Sequence, residues 1–378
     1  MIEVAIVFLL SVSLTTYVTP VIIKISHLKG LHDIPNDRKI HKNPTPSLGG
    51  LAMFIGLVIS LLFSINFTKH GEFQYYIAAF LILLSIGLKD DIFILDPFKK
   101  LLGQIVAVSI ILYKCHLVMD NLQGLFGIHA LPMSIAYGFT FLFFLFVINA
   151  FNLIDGVDGL AGSLALLAAL VFGIYFYING YTAYAILATG LSGSIIAFLF
   201  FNIQPAKIFM GDTGSLLLGL CIAIMAVKFI EIAQSTATVY AIASAPVVCI
   251  SVIIIPILDT LRVFIIRSLK RRSPFSPDKS HLHHILLNKG LSHNLVTLTC
   301  VFISLVFIIL SFLGQHLDPT ILFMGLIILS IGGISIIQAA RSVHRPTMRV
   351  VQGEKRSNLL SKKTGNSNGS ANTLKVNL

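Results

Sequence analysis

Four polar residues recur at three-residue steps between two long apolar runs. The segment 149–162 reads NAFNLIDGVDGLAG and contains Asn149, Asn152, Asp155 and Asp158. Residues three apart are neighbours on a helix surface, so a helix here would place the four polar groups along one face. Carboxylates and amides at the end of a hydrophobic span are costly unless they bind something. The pattern therefore predicts a site for a hard cation and for the phosphates that the cation neutralises.

The elements that must position this segment are membrane-spanning helices. Of the 378 residues, 56% are hydrophobic and 11% are charged, whereas a soluble domain is about one quarter charged. The composition predicts an all-α, polytopic integral membrane protein. The first apolar run follows an acidic residue and lacks a basic n-region, so we expect a retained helix there and not a signal peptide. The sequence predicts eleven spans, at roughly 2–23, 48–67, 74–88, 101–119, 131–150, 159–178, 181–202, 213–230, 237–266, 295–314 and 320–340.

Basic residues are distributed unequally between the loops. If the N-terminus faces outward and the spans alternate, all 27 Lys and Arg except Lys69, Lys114 and Lys228 lie on the inner side. This bias predicts an outer N-terminus and a cytoplasmic C-terminus. It also accounts for the net charge of +11 without a nucleic-acid partner. We expect a transmembrane domain at 1–340 and a basic, disordered tail at 341–378, which is rich in Ser, Asn, Gly and Lys.

Two of the predicted inner segments precede the opening motif. Residues 31–50 read LHDIPNDRKIHKNPTPSLGG and include Lys42. Residues 89–100 read KDDIFILDPFKK and place Asp90 and Asp91 directly after an apolar run. Adjacent carboxylates beside lysines can share a metal, or one of them can act as a base. A topological anchor and a solvated loop are the alternative interpretations of these segments, but all three acidic or basic segments are predicted to face the same side.

Two more inner segments follow the opening motif. In FNIQPAKIFMGDTGSLLLG, residues 201–219, Asp212 begins an apolar helix. The backbone N–H groups there favour an anion, and the neighbouring glycine would let a phosphate approach; a simple helix cap is the alternative. Residues 259–287 read DTLRVFIIRSLKRRSPFSPDKSHLHHILL. Three close histidines suggest zinc, but no matching set of Cys or His accompanies them. Donors for a substrate pyrophosphate fit this segment better.

Taken together, these motifs point to a family. TPSLGG, KDD, NAFNLIDGVDGL, FMGDTGSLLLG and SPFSPDKSHLHH occur in this order over residues 1–340, and the set resembles the polyprenyl-phosphate N-acetylhexosamine-1-phosphate transferases. SPFSPDKSHLHH is most similar to that of the WecA-type undecaprenyl-phosphate N-acetylglucosamine-1-phosphate transferases. MraY-type enzymes typically have a continuous run of three histidines, which Leu282 interrupts here.

The resemblance implies an enzyme of the bacterial cytoplasmic membrane that requires Mg²⁺, with Mn²⁺ as the alternative metal. It would transfer a sugar 1-phosphate from a UDP-N-acetylamino sugar to undecaprenyl phosphate within the lipid bilayer and release UMP, by direct attack. Asp90 would orient or deprotonate the lipid phosphate, with Asp91 beside it. Asp155 and Asp158 match the family's acidic pair. The resemblance further assigns Asp212 and Asn152 to the metal, and to substrate binding Lys42, Lys100, Asn149, Arg262, His281, His283 and His284.

Other functions fit the sequence less well. A transporter would also have many spans, but it would place charged groups near the bilayer midplane and would contain broken helices, and the sequence predicts neither. A non-catalytic lipid-binding scaffold would not need five separate polar segments on one side. Within the enzyme class, the alternatives are a donor with another N-acetylamino sugar, such as a 6-deoxy-hexosamine, or the muramoyl-pentapeptide nucleotide. The glycan made downstream, whether O-antigen, common antigen or teichoic acid, is not specified.

Overall fold

The computed structural model describes residues 2–31, 45–93, 95–235, 238–270 and 281–339. Within these ranges the chain is helical apart from one small hairpin, which confirms the all-α prediction. Lys42 and the predicted tail at 341–378 lie outside the described residues. The helices are α1 Ile2–Lys29, α2 Gly49–Ser64, α3 Glu72–Phe93, α4 Pro97–Cys115, α5 Met133–Ile154, α6 Leu160–Ile178, α7 Thr182–Asn202, α8 Gly211–Gln234, α9 Ala245–Val252, α10 Ile254–Leu269, α11 Leu282–Asn288, α12 His293–Leu313 and α13 Pro319–Ala339.

The length and composition of these helices make the chain a multi-pass membrane protein. In the described part of the chain, seven helices are long and apolar enough to cross a bilayer. The pair α9 and α10 would add an eighth, although the two helices bend by 82° at the break between them. The expectation of unbroken helices was therefore wrong for the run at 237–266. Each of the eleven predicted runs overlaps a helix or this pair, but the count of eleven spans stays a prediction.

Helix α8 forms the centre of the bundle. In an apolar 18-residue stretch of α8, 89% of the stretch is buried, whereas 17% of such a stretch is buried in the peripheral helix α13. Between its first turn and Lys228 the sequence of α8 is apolar on every side, as expected of a helix that is surrounded by others. It packs against α2, α3, α5 and α6. A Cβ at Gly219 would lie 2.6 Å from Ile148 Cα of α5, so this glycine lets the two backbones approach closely.

A short hairpin follows α4. Strands β1 (Asn121–Leu125) and β2 (Ile128–Ala130) pair antiparallel, which the sequence analysis did not predict. Gln234 Nε2 at the end of α8 donates to the carbonyl of Asn121 at 2.8 Å. The hairpin therefore ties the far end of the central helix to the loop between α4 and α5.

Candidate functional site

The first turn of α8 is fixed by a carboxylate from another helix. Asp91, near the end of α3, accepts hydrogen bonds from Asp212 N at 2.7 Å, Thr213 N at 3.1 Å and Thr213 Oγ1 at 2.6 Å. Gly211 has a φ of +70°, and a Cβ there would lie 2.7 Å from the Asp91 carboxylate oxygens. The start of α8 therefore does bind an anion, but the anion is Asp91. The expected approach of a phosphate to the N–H groups of residues 212 and 213 was wrong for that reason.

The TPSLGG segment supports this turn from the other side. Gly49 N and Gly50 N donate to the carbonyls of Phe209 and Met210, each at 2.9 Å. A Cβ at Gly50 would lie 2.0 Å from Gly214 N, so α2 and α8 touch backbone to backbone. The structure thus gives this segment a bracing role, whereas the predicted phosphate contact Lys42 lies outside the described residues.

Lys100 joins two carboxylates from different helices. Its Nζ lies 3.2 Å from Asp90 Oδ2 and also contacts Asp212 Oδ2. Asp96 caps the start of α4 by accepting from Phe98 N at 2.9 Å, and Lys100 follows one turn later. Asp90 and Asp212 thus point at a common cation position, as was expected of a shared site.

The amides of the opening motif lie on α5, but its carboxylates do not. Helix α5 ends at Ile154, so the helical prediction holds for Asn149 and Asn152 and fails for Asp155 and Asp158. Asn152 Nδ2 donates to Asp212 Oδ1 at 3.0 Å and to Ser215 Oγ at 2.9 Å. It therefore orients the carboxylate beside Lys100.

Asn149, one turn earlier on α5, is held by a buried partner. Its Nδ2 donates to Gln104 Oε1 of α4 at 2.7 Å and to the carbonyl of Leu145 at 2.7 Å. The predicted substrate contact at this residue is not tested by these bonds.

Asp155 and Asp158 lie in the turn between α5 and α6. Burial raises the pKa of Asp155 to about 7, and repulsion from Asp91 and Asp158 adds to that shift. Asp158 Oδ2 lies 3.3 Å from His293 Nδ1 at the start of α12. Gly159 N donates to Asn202 Oδ1 at 2.8 Å, which holds the end of the turn. The two carboxylates are therefore close enough to repel each other, and Asp158 has a histidine within ion-pair distance.

The three predicted histidines lie at the start of α11 and differ in exposure. His281 and His283 are 5% and 2% exposed, and His284 is half-buried. His283 packs against the turn after α5, where a Cβ at Gly156 would lie 2.7 Å from its Nε2. Burial lowers the pKa of His283 to about 3, against the opposing attraction of Asp259. His283 is therefore neutral at physiological pH and cannot offer a positive charge to a pyrophosphate.

The oxygen donors present suit magnesium. Asp90 and Asp212 both contact the Lys100 ammonium, and Asn152 and Ser215 lie beside Asp212. In the described ranges no three His, Cys, Asp or Glu residues form a metal-binding group. Mg²⁺ characteristically takes only one or two protein carboxylates and completes its shell with water and substrate phosphates. The donor set therefore fits that ion, whereas a structural zinc site would need four protein ligands.

Comparisons with known proteins decide the family. Residues 73–230 match the family model described as glycosyl transferase family 4. A Bacillus subtilis (strain 168) protein named "Probable undecaprenyl-phosphate N-acetylglucosaminyl 1-phosphate transferase" is 33% identical over 81% of this chain and 84% of its own length. The chain belongs to glycosyl transferase family 4.

Further relatives support this membership in glycosyl transferase family 4. An "Undecaprenyl-phosphate alpha-N-acetylglucosaminyl 1-phosphate transferase" of Haemophilus influenzae is 31% identical over 86% of this chain and 92% of that protein. A "Decaprenyl-phosphate N-acetylglucosaminephosphotransferase" of Mycobacterium tuberculosis (strain ATCC 25618 / H37Rv) is 33% identical over 78% of each chain. The predicted resemblance to this class of transferases is thereby confirmed.

Several residues at this glycosyl transferase family 4 site were missed by sequence reasoning. Ser215 and Thr213 are ordinary helix residues in the sequence, and their contacts with Asn152 and Asp91 join helices distant along the chain. Asn202 and His293 also lacked a local signal that would have singled them out. Asp259 stands out in the sequence at the inner end of an apolar run, but no role was predicted for it.

Proposed function

We propose that this enzyme transfers N-acetylglucosamine 1-phosphate from UDP-N-acetylglucosamine to undecaprenyl phosphate and releases UMP. The observation that carries the proposal is the convergence of Asp90, Asp212 and Lys100, from three helices, at one end of the bundle. The names of the relatives from B. subtilis and H. influenzae state this sugar phosphate and this acceptor. We also propose that this end faces the cytoplasm of a bacterial cell, as the charge bias indicates.

The reaction joins two anions, so the site must supply positive charge. An oxygen of the lipid phosphate forms a bond to the phosphorus that carries the sugar, and the bond from that phosphorus to the bridging oxygen breaks. UMP leaves with the bridging oxygen. Mg²⁺, held by Asp212 with Asp90 and Asn152 beside it, would neutralise the pyrophosphate when bound. Lys100 lies between the same carboxylates and is placed to contact a phosphate oxygen.

In this proposal the main role of Asp90 is to orient a neighbouring group, and not to act as a base. A phosphate monoester has a second pKa of about 6 and is largely ionised at neutral pH, so a strong base is not required. Asp90 is anchored by Leu95 N, which donates to Oδ1 at 2.5 Å, and its Oδ2 faces Lys100. It can therefore orient Lys100 toward the lipid phosphate. Asp91 supports the reaction indirectly, because it holds the first turn of α8.

We place the donor nucleotide beside the turn that follows α5. Asp155 and Asp158 in the turn after α5 would position the nucleotide or the metal. Arg262 and His284 would contact the pyrophosphate or the sugar. Lys42 and Asn149 remain predicted substrate contacts, and so does His283, for which burial favours a neutral imidazole.

Radiolabelled UDP-N-acetylglucosamine, added with Mg²⁺ to membranes that contain the protein, tests the proposal. We expect a chloroform-soluble product and release of UMP in equal amount, and we expect Mn²⁺ to replace Mg²⁺. The matched control is Asp318→Asn, which changes a carboxylate that accepts from Thr320 N at the start of α13, and it should react normally. Product from the muramoyl-pentapeptide nucleotide alone would contradict the proposed donor, while product from a 6-deoxy-hexosamine nucleotide alone would preserve the chemistry and change the sugar.

A further inference from the structure

A buried carboxylate on α10, the second helix of the broken pair, holds the histidine segment. Asp259 on α10 is 3% exposed. His281 Nδ1 lies 2.9 Å from its Oδ2, and Leu282 N donates to its Oδ1 at 2.6 Å. Arg262 Nη1 lies 3.5 Å from the same Oδ1. Both carboxylate oxygens are thus engaged by the protein.

These bonds define the state of the His281 ring. A carboxylate accepts only, so Nδ1 must carry the proton, and the tautomer and orientation of the imidazole are fixed. Leu282 is the first residue of α11, and a helix of seven residues has too few internal bonds to persist alone. Asp259 therefore sets both where α11 begins and how the first histidine is turned.

The next two histidines depend on the first. The rings of His281 and His283 are stacked, with centroids 5.5 Å apart and planes 12° apart. His283 is in turn seated against Gly156, where there is no space for a Cβ. His284 follows with its ring centroid 4.4 Å from that of His283, and it alone of the three is not buried. An ordered stack thus runs from Asp259 to the most exposed histidine.

We propose that Asp259 and His281 are positioning residues, and that their bond docks α11 so that His284 meets the donor substrate. This inference rests on the proposed function only for the identity of the donor. It changes the predicted role of His281, whose ring is engaged by Asp259 on its edge and by His283 on its face. It also gives a function to a carboxylate that neither the metal nor the acceptor uses.

Two conservative variants of His281 separate the roles of its two nitrogens. The amide of His281→Asn reproduces the position of Nδ1, whereas that of His281→Gln reproduces the position of Nε2. We expect His281→Asn to keep the KM for UDP-N-acetylglucosamine within about threefold, because the bond to Asp259 is retained. His281→Gln should raise that KM by about tenfold or more, since a bond to a charged group is lost. The KM for undecaprenyl phosphate should change in neither variant.

Asp259→Asn provides the reciprocal test. The new amide can still accept from Leu282 N, but it offers an N–H where the carboxylate accepted one. The imidazole must then take its other tautomer, and the bond to a charged group is lost. We expect the KM for UDP-N-acetylglucosamine to rise by about tenfold, and we expect no further loss in the double variant Asp259→Asn, His281→Gln, because the two residues act as one unit. Asp318→Asn is the matched control and should leave both KM values unchanged.

Hydrogen exchange tests docking without any substrate. In the purified, substrate-free protein, the peptide that covers residues 282–288 should exchange faster in His281→Gln and Asp259→Asn than in the wild type, and at the wild-type rate in His281→Asn. Activity retained by His281→Gln and lost by His281→Asn would show that Nε2 contacts substrate and would overturn the proposal. Unchanged exchange in both His281→Gln and Asp259→Asn would overturn it as well. Absence of wild-type turnover would contradict the proposed function alone, because the exchange result does not depend on it.

Discussion

Helices α3 and α8 carry a polar cluster at each of their ends, and the two clusters differ in charge balance. At the end away from the site, Lys228 Nζ lies 2.6 Å from Glu231 Oε1 and 5.0 Å from the ring centroid of Tyr184. Tyr184 and Tyr76 share a hydrogen bond between hydroxyls at 3.1 Å, and Glu72 is within 3.5 Å of the Tyr184 hydroxyl. Here the polar groups satisfy one another, which is the pattern of a structural cluster.

The cluster at the site end does not balance itself in this way. Asp90 and Asp212 share one lysine, Lys100, and the neighbouring Asp91 uses both of its oxygens on the first turn of α8. Two carboxylates therefore converge on one cation position, in a place that is partly buried. The comparison shows that burial of polar groups does not by itself indicate function, whereas an excess of one charge that protein groups do not compensate indicates a ligand of opposite charge.

The largest expected effect comes from Asp212→Asn at the site end. Loss of the carboxylate that contacts Lys100 and that we propose as the Mg²⁺ ligand should lower kcat by about a thousandfold. The matched change at the other end is Glu231→Gln, which should leave kcat within about twofold because that carboxylate is half exposed and paired on the surface. UMP release from purified protein measures both. Equal losses in the two variants would mean that the clusters do not differ in function.

Gly50→Ala should destabilise the site end more than any change at the opposite end. Its Cβ would lie 2.0 Å from Gly214 N, and overpacking of this kind costs about 1–3 kcal/mol or more. Gly138→Ala on α5 is the control, because nothing lies within 4 Å of a Cβ there. Thermal unfolding in detergent should show a lower Tm for Gly50→Ala only; a wild-type Tm would show that the contact between α2 and α8 can relax.

Tyr184→Phe should have a small effect at the opposite end. The change removes the hydroxyl bonded to Tyr76, and such a bond contributes about 1 kcal/mol. We expect a slightly lower Tm and unchanged values of kcat and both KM. A loss of turnover with normal Tm would assign a functional role to the cluster that we interpret as structural.

Two groups at the site end should make opposite contributions to the pH dependence of stability. The pKa of His283 is lowered to about 3 in the folded protein. As the pH falls below about 6.5, this histidine becomes protonated in the unfolded chain but stays neutral in the folded protein, so the free energy of unfolding decreases. The pKa of Asp155 is raised to about 7 in the folded protein. Between about pH 7 and 4 this carboxyl is protonated in the folded protein but ionised in the unfolded chain, so the free energy of unfolding increases as the pH falls. Tm measured in EDTA between pH 7.5 and 5 should fall less steeply in His283→Gln and more steeply in Asp155→Asn than in the wild type. Parallel curves for all three proteins would contradict both assignments.

Much of the fold could be predicted from the sequence, because transfer of apolar side chains from water determines which segments become helices. The break between α9 and α10 was missed because 237–266 reads as one apolar run. The sequence does carry a signal for it, since Pro256 has no N–H to donate to the carbonyl of Val252, where α9 ends. The end of α5 at Ile154 was also missed, because a three-residue spacing continues through the turn that follows.

The sequence predicted which residues lie at the site better than it predicted the contacts between them. Motif resemblance selected Asp90, Asp91 and Asp212, and these residues do lie together. It did not predict that Asp91 caps α8, because that bond joins residues 121 positions apart and no local spacing encodes it. The bond between Asp259 and His281 was missed for the same reason. Sequence pattern thus indicated which groups gather at the candidate site, and tertiary packing decided which of them hold the others in place.

The central claim is that Asp212 and Asp90 form a cation site that is completed by the donor phosphates. Thermal unfolding of the purified protein with Mg²⁺ and UDP-N-acetylglucosamine, each alone and together, tests it most directly. The account predicts that the two ligands together raise the Tm of the wild type and of Glu231→Gln by more than the sum of their separate effects, and that Asp212→Asn loses this excess. The same excess in Asp212→Asn as in the wild type would contradict the claim.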